Sequence, residues 1–387
     1  MYHTIIIGAG PVGSHLAYRM AQLGYKVIVL DKKAAVGRDI CCSGIIGREC
    51  LDFFGIDKNL VLRKTSSAKF FSPSGEMLRL WRAEDVACIT NRPALDVMLA
   101  DRAQEAGVEY LLGAQVIDIQ VDADRVGVKV DCCGQSRLFE AETAVIATGF
   151  GSLLPEKLGL GRIGEYLLGI QAEVCIRDID EVEIYFDQSL APGGFGWLVP
   201  TIDGRGLVGL LGRSQPHVHI EKLLSHLRAQ GKIDSAEVAP CYGVIPLRPL
   251  SRTYVRRVVV VGEAAGQVKP TTGGGIYYGL LCADIAADNL NKAFLASDFS
   301  IDSLSLYDKQ WRAMLGRELR IEYWARRLYA RLSNHRIERL FHLAANNNIP
   351  GLVNELDKFS FDWHGGLIFK VLKHLAISVP LSVIKKP

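Results

Sequence analysis

Three apolar runs, each breaking into a glycine-rich turn, punctuate the first two thirds of the chain. In "TIIIGAGPVGSHLAYRMAQLGYKVIVLDKK", Ile5, Ile6 and Ile7 follow one another without a polar gap, as in a parallel strand buried on both faces. A helical stretch and a second apolar run ending in Asp31 come next. "VIATGFGS" (145–152) and "YVRRVVVVGEAAG" (254–266) repeat the pattern of strand and glycine turn. In "NRPALDVMLADRAQEAGVEY" (91–110), Leu95, Met98, Leu99 and Ala103 fall on one helical face and Gly107 marks the stop. In "FGWLVP" (195–200), Phe195, Trp197 and Val199 alternate as along a strand. The last 90 or so residues read as helices, with Leu367, Val371, Leu372 and Leu375 on one apolar face and Lys370, Lys373, Lys385 and Lys386 nearby. Together these elements predict an α/β chain. A Rossmann-type dinucleotide domain is interleaved with a mostly antiparallel sheet domain and followed by a helical region.

Composition narrows this picture. At 387 residues, 49% hydrophobic and 22% charged, the chain is long enough for two or three folded domains. A net charge of +3 excludes a nucleic-acid binder driven by overall charge. The charge is unevenly placed, however: residues 309–342 hold nine Lys/Arg against three Glu. That stretch reads as a solvated helical face or as a surface for an anionic ligand or membrane. No stretch of about 20 apolar residues suggests a spanning helix, and the N-terminus lacks a signal-peptide pattern. Nine cysteines, an odd number without a framework spacing, fit a reducing cytoplasm.

Gly8, Gly10 and Gly13 have the G-x-G-x-x-G spacing. The first makes the turn, the second lets the backbone approach a pyrophosphate, and the third lets helix and strand pack closely. Pro11 suits the first helical position, the pyrophosphate lies at the helix N-terminus, and Asp31 is positioned for an adenosine ribose. A second glycine-rich element, Gly262-Glu263 followed by Gly273, Gly274, Gly275 and Ile276, favours FAD over NAD, because a long cofactor needs both ends held. Arg92, at the start of its helix, is a candidate contact to a phosphate or to the flavin edge. Cys41 and Cys42 are adjacent and no C-x-x-C occurs, so no zinc or iron–sulfur site is expected and a bridge between the neighbours would be strained. Cys132-Cys133 is assigned no function.

The order of motifs resembles the geranylgeranyl reductase family of FAD-dependent oxidoreductases, within the para-hydroxybenzoate hydroxylase-like flavoproteins. The resemblance covers roughly residues 3–295. It rests on the N-terminal glycine motif, Cys42-Ser43-Gly44-Ile45, Arg92 and Asp96, "IYFDQSLAPGGFGWLVP" (184–200) and "GEAAGQVKPTTGGGI" (262–276). Glu263 stands where the family usually has Asp, and Ser43 where it has glycine. The resemblance implies FAD contacts from Gly8, Gly10, Pro11, Gly13, Asp31, Cys42, Ser43, Gly44, Arg92, Val116, Gly262, Glu263, Gly274, Gly275 and Ile276. It implies substrate contacts from Tyr185, Gly193, Phe195, Trp197 and Pro200, with Cys42 on a loop over the flavin, facing the substrate cavity, to donate a proton or shape the pocket. Gly193, Gly194 and Gly196 are expected to let a ligand approach the backbone.

The implied activity is hydride transfer from flavin, with protonation, to C=C bonds of a geranylgeranyl chain on a lipid. Ferredoxin or NAD(P)H would be the external donor. A peripheral membrane contact at the inner face of the membrane would give access to such a substrate. The competing readings are a flavin monooxygenase or halogenase, and an electron-transfer flavoprotein to quinone. The expected division is 1–65, 92–165 and 255–295 for FAD, 66–91 and 166–254 for substrate, and 296–387 as the helical region.

Overall fold

A computed structural model of the chain describes residues 1–236, 240–356 and 359–378. Lys385 and Lys386, and the side chains of Leu372, Lys373 and Leu375, lie outside the described residues. The described residues form two compact units, each drawn from three stretches of chain. One contains Met1–Ile40, Arg92–Tyr166 and Ile245–Leu319, and the other Cys41–Asn91, Leu167–Val244 and Arg320–Pro387. Residues 41–65, expected with the dinucleotide part, group instead with the second unit. The helical tail also divides between the two units rather than standing alone.

The first unit is built on a sheet ordered Tyr254–Val255, Val258–Val260, Gln135–Ile146, Tyr2–Ile7, Val27–Asp31, Glu109–Leu112. Tyr2–Ile7 pairs in parallel with Gln135–Ile146 and with Val27–Asp31. Ile5, Ile6 and Ile7 are all buried, because side chains on both faces of a central parallel strand are covered. An antiparallel hairpin, Ala114–Val121 and Val126–Cys132, extends from the first half of Gln135–Ile146. Helix Pro11–Gln22 packs against helices Arg92–Glu105 and Ile276–Ala296.

The second unit has an eight-stranded sheet. Its main path runs Ile233–Ala236, Tyr166–Ile176, Arg205–Gly212, Phe195–Pro200, Val182–Tyr185, Ser67–Phe71, Met77–Trp81, and Cys241–Pro246 also pairs with Tyr166–Ile176. One face packs on helix Pro216–Ala229, where Ile170, Val174, Leu198, Val208 and Leu210 meet Ile220, Leu223, Leu224 and Leu227. On a separate apolar surface, Trp197, Val199, Val182, Ile184 and Leu207 gather around Ile89. Ile89 belongs to a small antiparallel sheet of Ile45–Gly47, Ala87–Thr90 and Val61–Thr65.

Helix Ile301–Tyr329 runs for 29 residues, and its residues divide between the units after Leu319. Its basic side chains are not all solvated. Arg312 Nε donates to Asp308 at 2.6 Å, and Arg326 is buried. Among the described residues, no helix is long and apolar enough to cross a membrane.

Candidate active site

The N-terminal turn in the first unit has no room for side chains at two of its three glycines. Gly8 has φ +115°, and a Cβ there would lie 2.3 Å from the Ala147 carbonyl oxygen. A Cβ on Gly13 would lie 2.0 Å from the Gly8 oxygen, so this residue sets how closely helix and strand approach. At Gly10, the cap of helix Pro11–Gln22, nothing stands within 4 Å of a Cβ position. That open space faces a helix N-terminus whose N–H groups and dipole suit a phosphate. Pro11 occupies the first turn without sacrificing a helical donor. Asp31 closes the turn from the other side, accepting from the Ala9 N–H through Oδ2 and the Lys33 N–H through Oδ1, each at 2.7 Å.

The second glycine turn belongs to the same unit. Gly262 has φ +67° and donates through its N–H to Gln267 Oε1 at 2.7 Å. Gln267 Nε2 donates to Tyr307 Oη, which in turn donates to the Val260 carbonyl. Gln267 and Tyr307 are fully buried, so this chain of bonds fixes the turn from behind. The Glu263 carboxylate lies between two glycine backbones: Oε2 is 3.7 Å from a Cβ position on Gly149, and Oε1 is 3.4 Å from one on Gly275. Burial pushes its carboxyl above the ordinary carboxylate range, while the Arg92 charge and the Phe150 backbone N–H pull the other way. Arg92 is itself 8% exposed and donates to Asp96 at 2.6 Å across one helical turn. Desolvation also raises Asp96, partly offset by Arg92. Gly275 caps helix Ile276–Ala296, so Ile276 is its first residue. Beside it, Gly274 leaves space for buried Lys269, whose Cε would be 2.9 Å from a Gly274 Cβ. Val116 lies on the hairpin strand opposite Val130, packed against the core of this unit.

The cysteine loop belongs to the second unit. Gly44 has φ +73°, and its carbonyl accepts from both the N–H and the Oγ1 of Thr90 at 2.9 Å. The Gly44 N–H points back to Cys42 Sγ at 3.5 Å, and Ser43 lies between them. Gln171 Nε2 donates to the Cys42 carbonyl at 3.2 Å, while Trp197 Nε1 donates to Gln171 Oε1 at 3.3 Å. One nearly buried amide therefore joins the cysteine loop to the aromatic strand. Phe195 and Trp197 share a face, with ring centroids 6.0 Å apart, as their alternation predicts. Trp197 lies over Gly209, where a Cβ would be 2.3 Å from the indole.

Two expectations for this region need correction. Tyr185 is not beside Trp197: in the strand register it pairs with Gly196, and Trp197 with Ile184. Tyr185 consequently points into the core packed on helix Pro216–Ala229. There it stacks on Phe71, donates to Glu183 and accepts from Lys232 Nζ at 2.9 Å. The glycines of "PGGFG" admit other parts of the protein rather than a ligand. A Cβ on Gly194 would lie 1.6 Å from the Leu211 oxygen, and one on Gly196 2.9 Å from the Leu223 side chain. The Gly193 and Gly194 carbonyls accept from Arg326 and from Tyr329 Oη. Burial of Arg326 lowers its guanidinium to about 10. Pro200 ends the same strand, buried opposite Gly206.

Sequence reasoning missed Gln171, Gln267 and Lys269. The available signal was a single polar residue in an apolar run, as in "LLGIQAEV". A cleft of about 370 Å³ lined by Arg63, Asp178, Asp180 and Thr201 includes none of the expected site residues. Its charged lining is unsuited to an apolar chain. Among the described residues one group of potential metal ligands converges, Glu76, Glu338 and His342. Glu338 there already accepts from Ser72 and Ser74.

Residues 2–190 match the family model of pyridine nucleotide-disulphide oxidoreductases. Digeranylgeranylglycerophospholipid reductase of Methanocaldococcus jannaschii is 26% identical over 376 residues, covering 93% of this chain and 94% of that protein. Digeranylgeranylglycerophospholipid reductase 2 of Methanopyrus kandleri is 28% identical, covering 91% and 92% respectively. A geranylgeranyl bacteriochlorophyll reductase-like protein from Thermoplasma acidophilum shares the fold with a TM-score of 0.86 at 20% identity, over 99% of this chain and 98% of that one. A flavin-dependent brominase follows at a TM-score of 0.73 and 15% identity, over 98% of this chain and all of that one.

Proposed function

From its similarity to digeranylgeranylglycerophospholipid reductases and its resemblance to the geranylgeranyl reductase family of FAD-dependent oxidoreductases, we propose that this chain saturates C=C bonds in the isoprenoid chain of a lipid-like substrate. The observation that carries the reading is the pairing of two glycine-built turns in one unit. The turn at Gly8–Gly13 opens onto a helix N-terminus, and the turn at Gly262–Gly275 encloses Glu263. FAD, with two separated ends to hold, fits such residues. Gly10 and the N-terminus of its helix would take the pyrophosphate, Asp31 the adenosine ribose, and Glu263 and Arg92 the flavin side.

The hydride that saturates the alkene comes from the reduced flavin when FAD is bound, and the remaining work falls to the chain. An unpolarised alkene develops positive charge as it is reduced and protonated, so water must be excluded. Phe195 and Trp197, half-buried on one face of their strand, offer an apolar surface of that kind. Cys42 is the proposed proton donor. Its sulfur serves as an acceptor from Gly44, which leaves the S–H available, and Gln171 holds its backbone. Among the proposed substrate contacts, Phe195 and Trp197 carry the reading. Gly193 and Pro200 have protein partners of their own, and Tyr185 belongs to the core.

The electron donor is proposed to be external, a reduced ferredoxin or NAD(P)H. A membrane surface is the proposed source of substrate. Supporting it, Trp324 is 57% and Leu328 65% exposed among Arg320, Arg327 and Arg331, the composition of an interfacial helix face.

The test is anaerobic. Purified protein would be reduced with dithionite and mixed with digeranylgeranylglycerophospholipid, the flavin spectrum followed and the lipid weighed by mass spectrometry. Reoxidation with a gain of two hydrogens per step is expected. Reoxidation by oxygen alone, with no change in lipid mass, would overturn the reading in favour of an oxygenase or a carrier.

A further inference from the structure

Nine cysteines occur in the chain and none is in a disulfide, but two of them, far apart in sequence, meet. Strand Cys241–Pro246 pairs with Tyr166–Ile176 in the second unit. Side chains two residues apart on a strand share a face, so Cys241 and Gly243 project to the same side. Gly243 has no side chain, and Cys41 occupies that side: its Cβ is 3.7 Å and its Sγ 3.8 Å from a Gly243 Cβ position. The Cys41 thiol is hydrogen-bonded to the Cys241 sulfur. Both residues are partly exposed, within reach of a small solute.

We propose that Cys41 and Cys241 are a site of covalent oxidation, closing to a disulfide when a peroxide is present. The two sulfurs are not equivalent. Accepting from Cys41 and from backbone N–H groups, including that of Gln171, favours the thiolate at Cys241. Donating to Cys241 and being buried hold Cys41 as the thiol. Cys241 is therefore the attacking sulfur. Its thiolate displaces one oxygen of hydrogen peroxide, giving a sulfenic acid and, after proton uptake, water. The Cys41 sulfur then attacks the sulfenic sulfur, the S–O bond breaks, and the Cys41 proton leaves with the oxygen as a second water. Two thiols lose two electrons and two protons, and one peroxide is reduced to two waters. A dithiol such as dithiothreitol reverses the bond by exchange. The bond would pin Cys41 to a strand while Gln171 already holds the carbonyl of Cys42. Its formation does not depend on the reductase reading.

The experiment uses the whole protein, with hydrogen peroxide as the probe. After treatment, free thiols are blocked, the protein is cut with trypsin and the peptides are weighed without reduction. A cross-link between the peptide of residues 39–48 and that of residues 233–252, where the Arg248–Pro249 bond resists the protease, two hydrogens lighter than their sum and lost on adding dithiothreitol, is expected. Because the first peptide holds both Cys41 and Cys42, the Cys42→Ser variant must keep the cross-link. Cys41→Ser and Cys241→Ser must each lose it. Cys41→Ser should also leave a sulfenic acid on Cys241 that a dimedone probe captures. A link through Cys42, a link only between two chains, or both thiols blocked as in untreated protein would overturn the proposal.

Discussion

Glu263 carries a cost that its environment only partly offsets. Burial raises its carboxyl above the ordinary 4.5, against the opposing pull of Arg92 and the Phe150 N–H. Below pH 4.5 the group is protonated whether the chain is folded or not, and no penalty arises. As pH rises through the folded value, the native state must hold a desolvated charge that the unfolded chain exposes to water, and stability is lost. Glu263→Gln has no such titration. The melting temperature of the variant without bound cofactor, minus that of the parent, should therefore increase between pH 4.5 and pH 7.5. Asp96 is also raised by burial, but it is present in both proteins and drops out of the difference. Calorimetry at the two pH values checks this; a flat difference would mean that the carboxylate is solvated in the folded chain. The longer side chain, Glu where the family the sequence resembles usually has Asp, reaches between Gly149 and Gly275.

The strand Phe195–Pro200 shows what can and cannot be read along an element. Its alternation put Phe195 and Trp197 on one face, because period two follows from the backbone alone. The first βαβ unit was equally legible, since each glycine there answers a local demand of turn or helix packing. Tyr185 was not, because its face depends on which side of the sheet helix Pro216–Ala229 covers, and that helix comes later in the chain. The glycines at 193, 194 and 196 failed for a related reason. A sequence records that something approaches the backbone, but not whether it is a ligand or the protein's own Leu211, Leu223 and Arg326. Gln171 illustrates the remaining gap, since its two partners, Cys42 and Trp197, lie on opposite sides of it in sequence. Replacing it by Leu keeps the volume but leaves the Cys42 carbonyl and the Trp197 N–H without their bonds. A buried unsatisfied polar group costs about 1–3 kcal/mol, so Gln171→Leu should lower unfolding stability by that order. The indole would also lose its acceptor, and the tryptophan emission should shift relative to a Trp197→Phe control. Unchanged stability and emission would mean that water replaces the amide at both ends.

Interleaving gives the molecule its largest constraint, because each unit closes only when stretches from the beginning, middle and end of the chain have met. Such long-range assembly is the part least visible in local patterns, which explains why residues 41–65 and the helical tail read as belonging elsewhere. In the second unit the late stretch is held by identifiable bonds. Arg82, just after strand Met77–Trp81, donates from Nη1 to the Val353 and Asn354 carbonyls and from Nη2 to that of Leu356, each at 2.8 Å. Three acceptors at the end of helix Ile349–Asn354, where carbonyls lack helical partners, are thereby satisfied by one guanidinium. Bonds to a charged donor are worth about 1.5–3 kcal/mol, less where water competes. Arg82→Ala should accordingly speed hydrogen exchange at the amides of Leu352, Glu355 and Leu356 by at least about tenfold, the equivalent of 1.4 kcal/mol. The amides of Ile5, Ile6 and Ile7, in the central strand of the first unit, should keep their parent rates. Equal acceleration at both places would show that the interleaved chain opens as one cooperative body. No acceleration at either would show that the tail is held by its apolar contacts through Ile349 and Val353 rather than by Arg82.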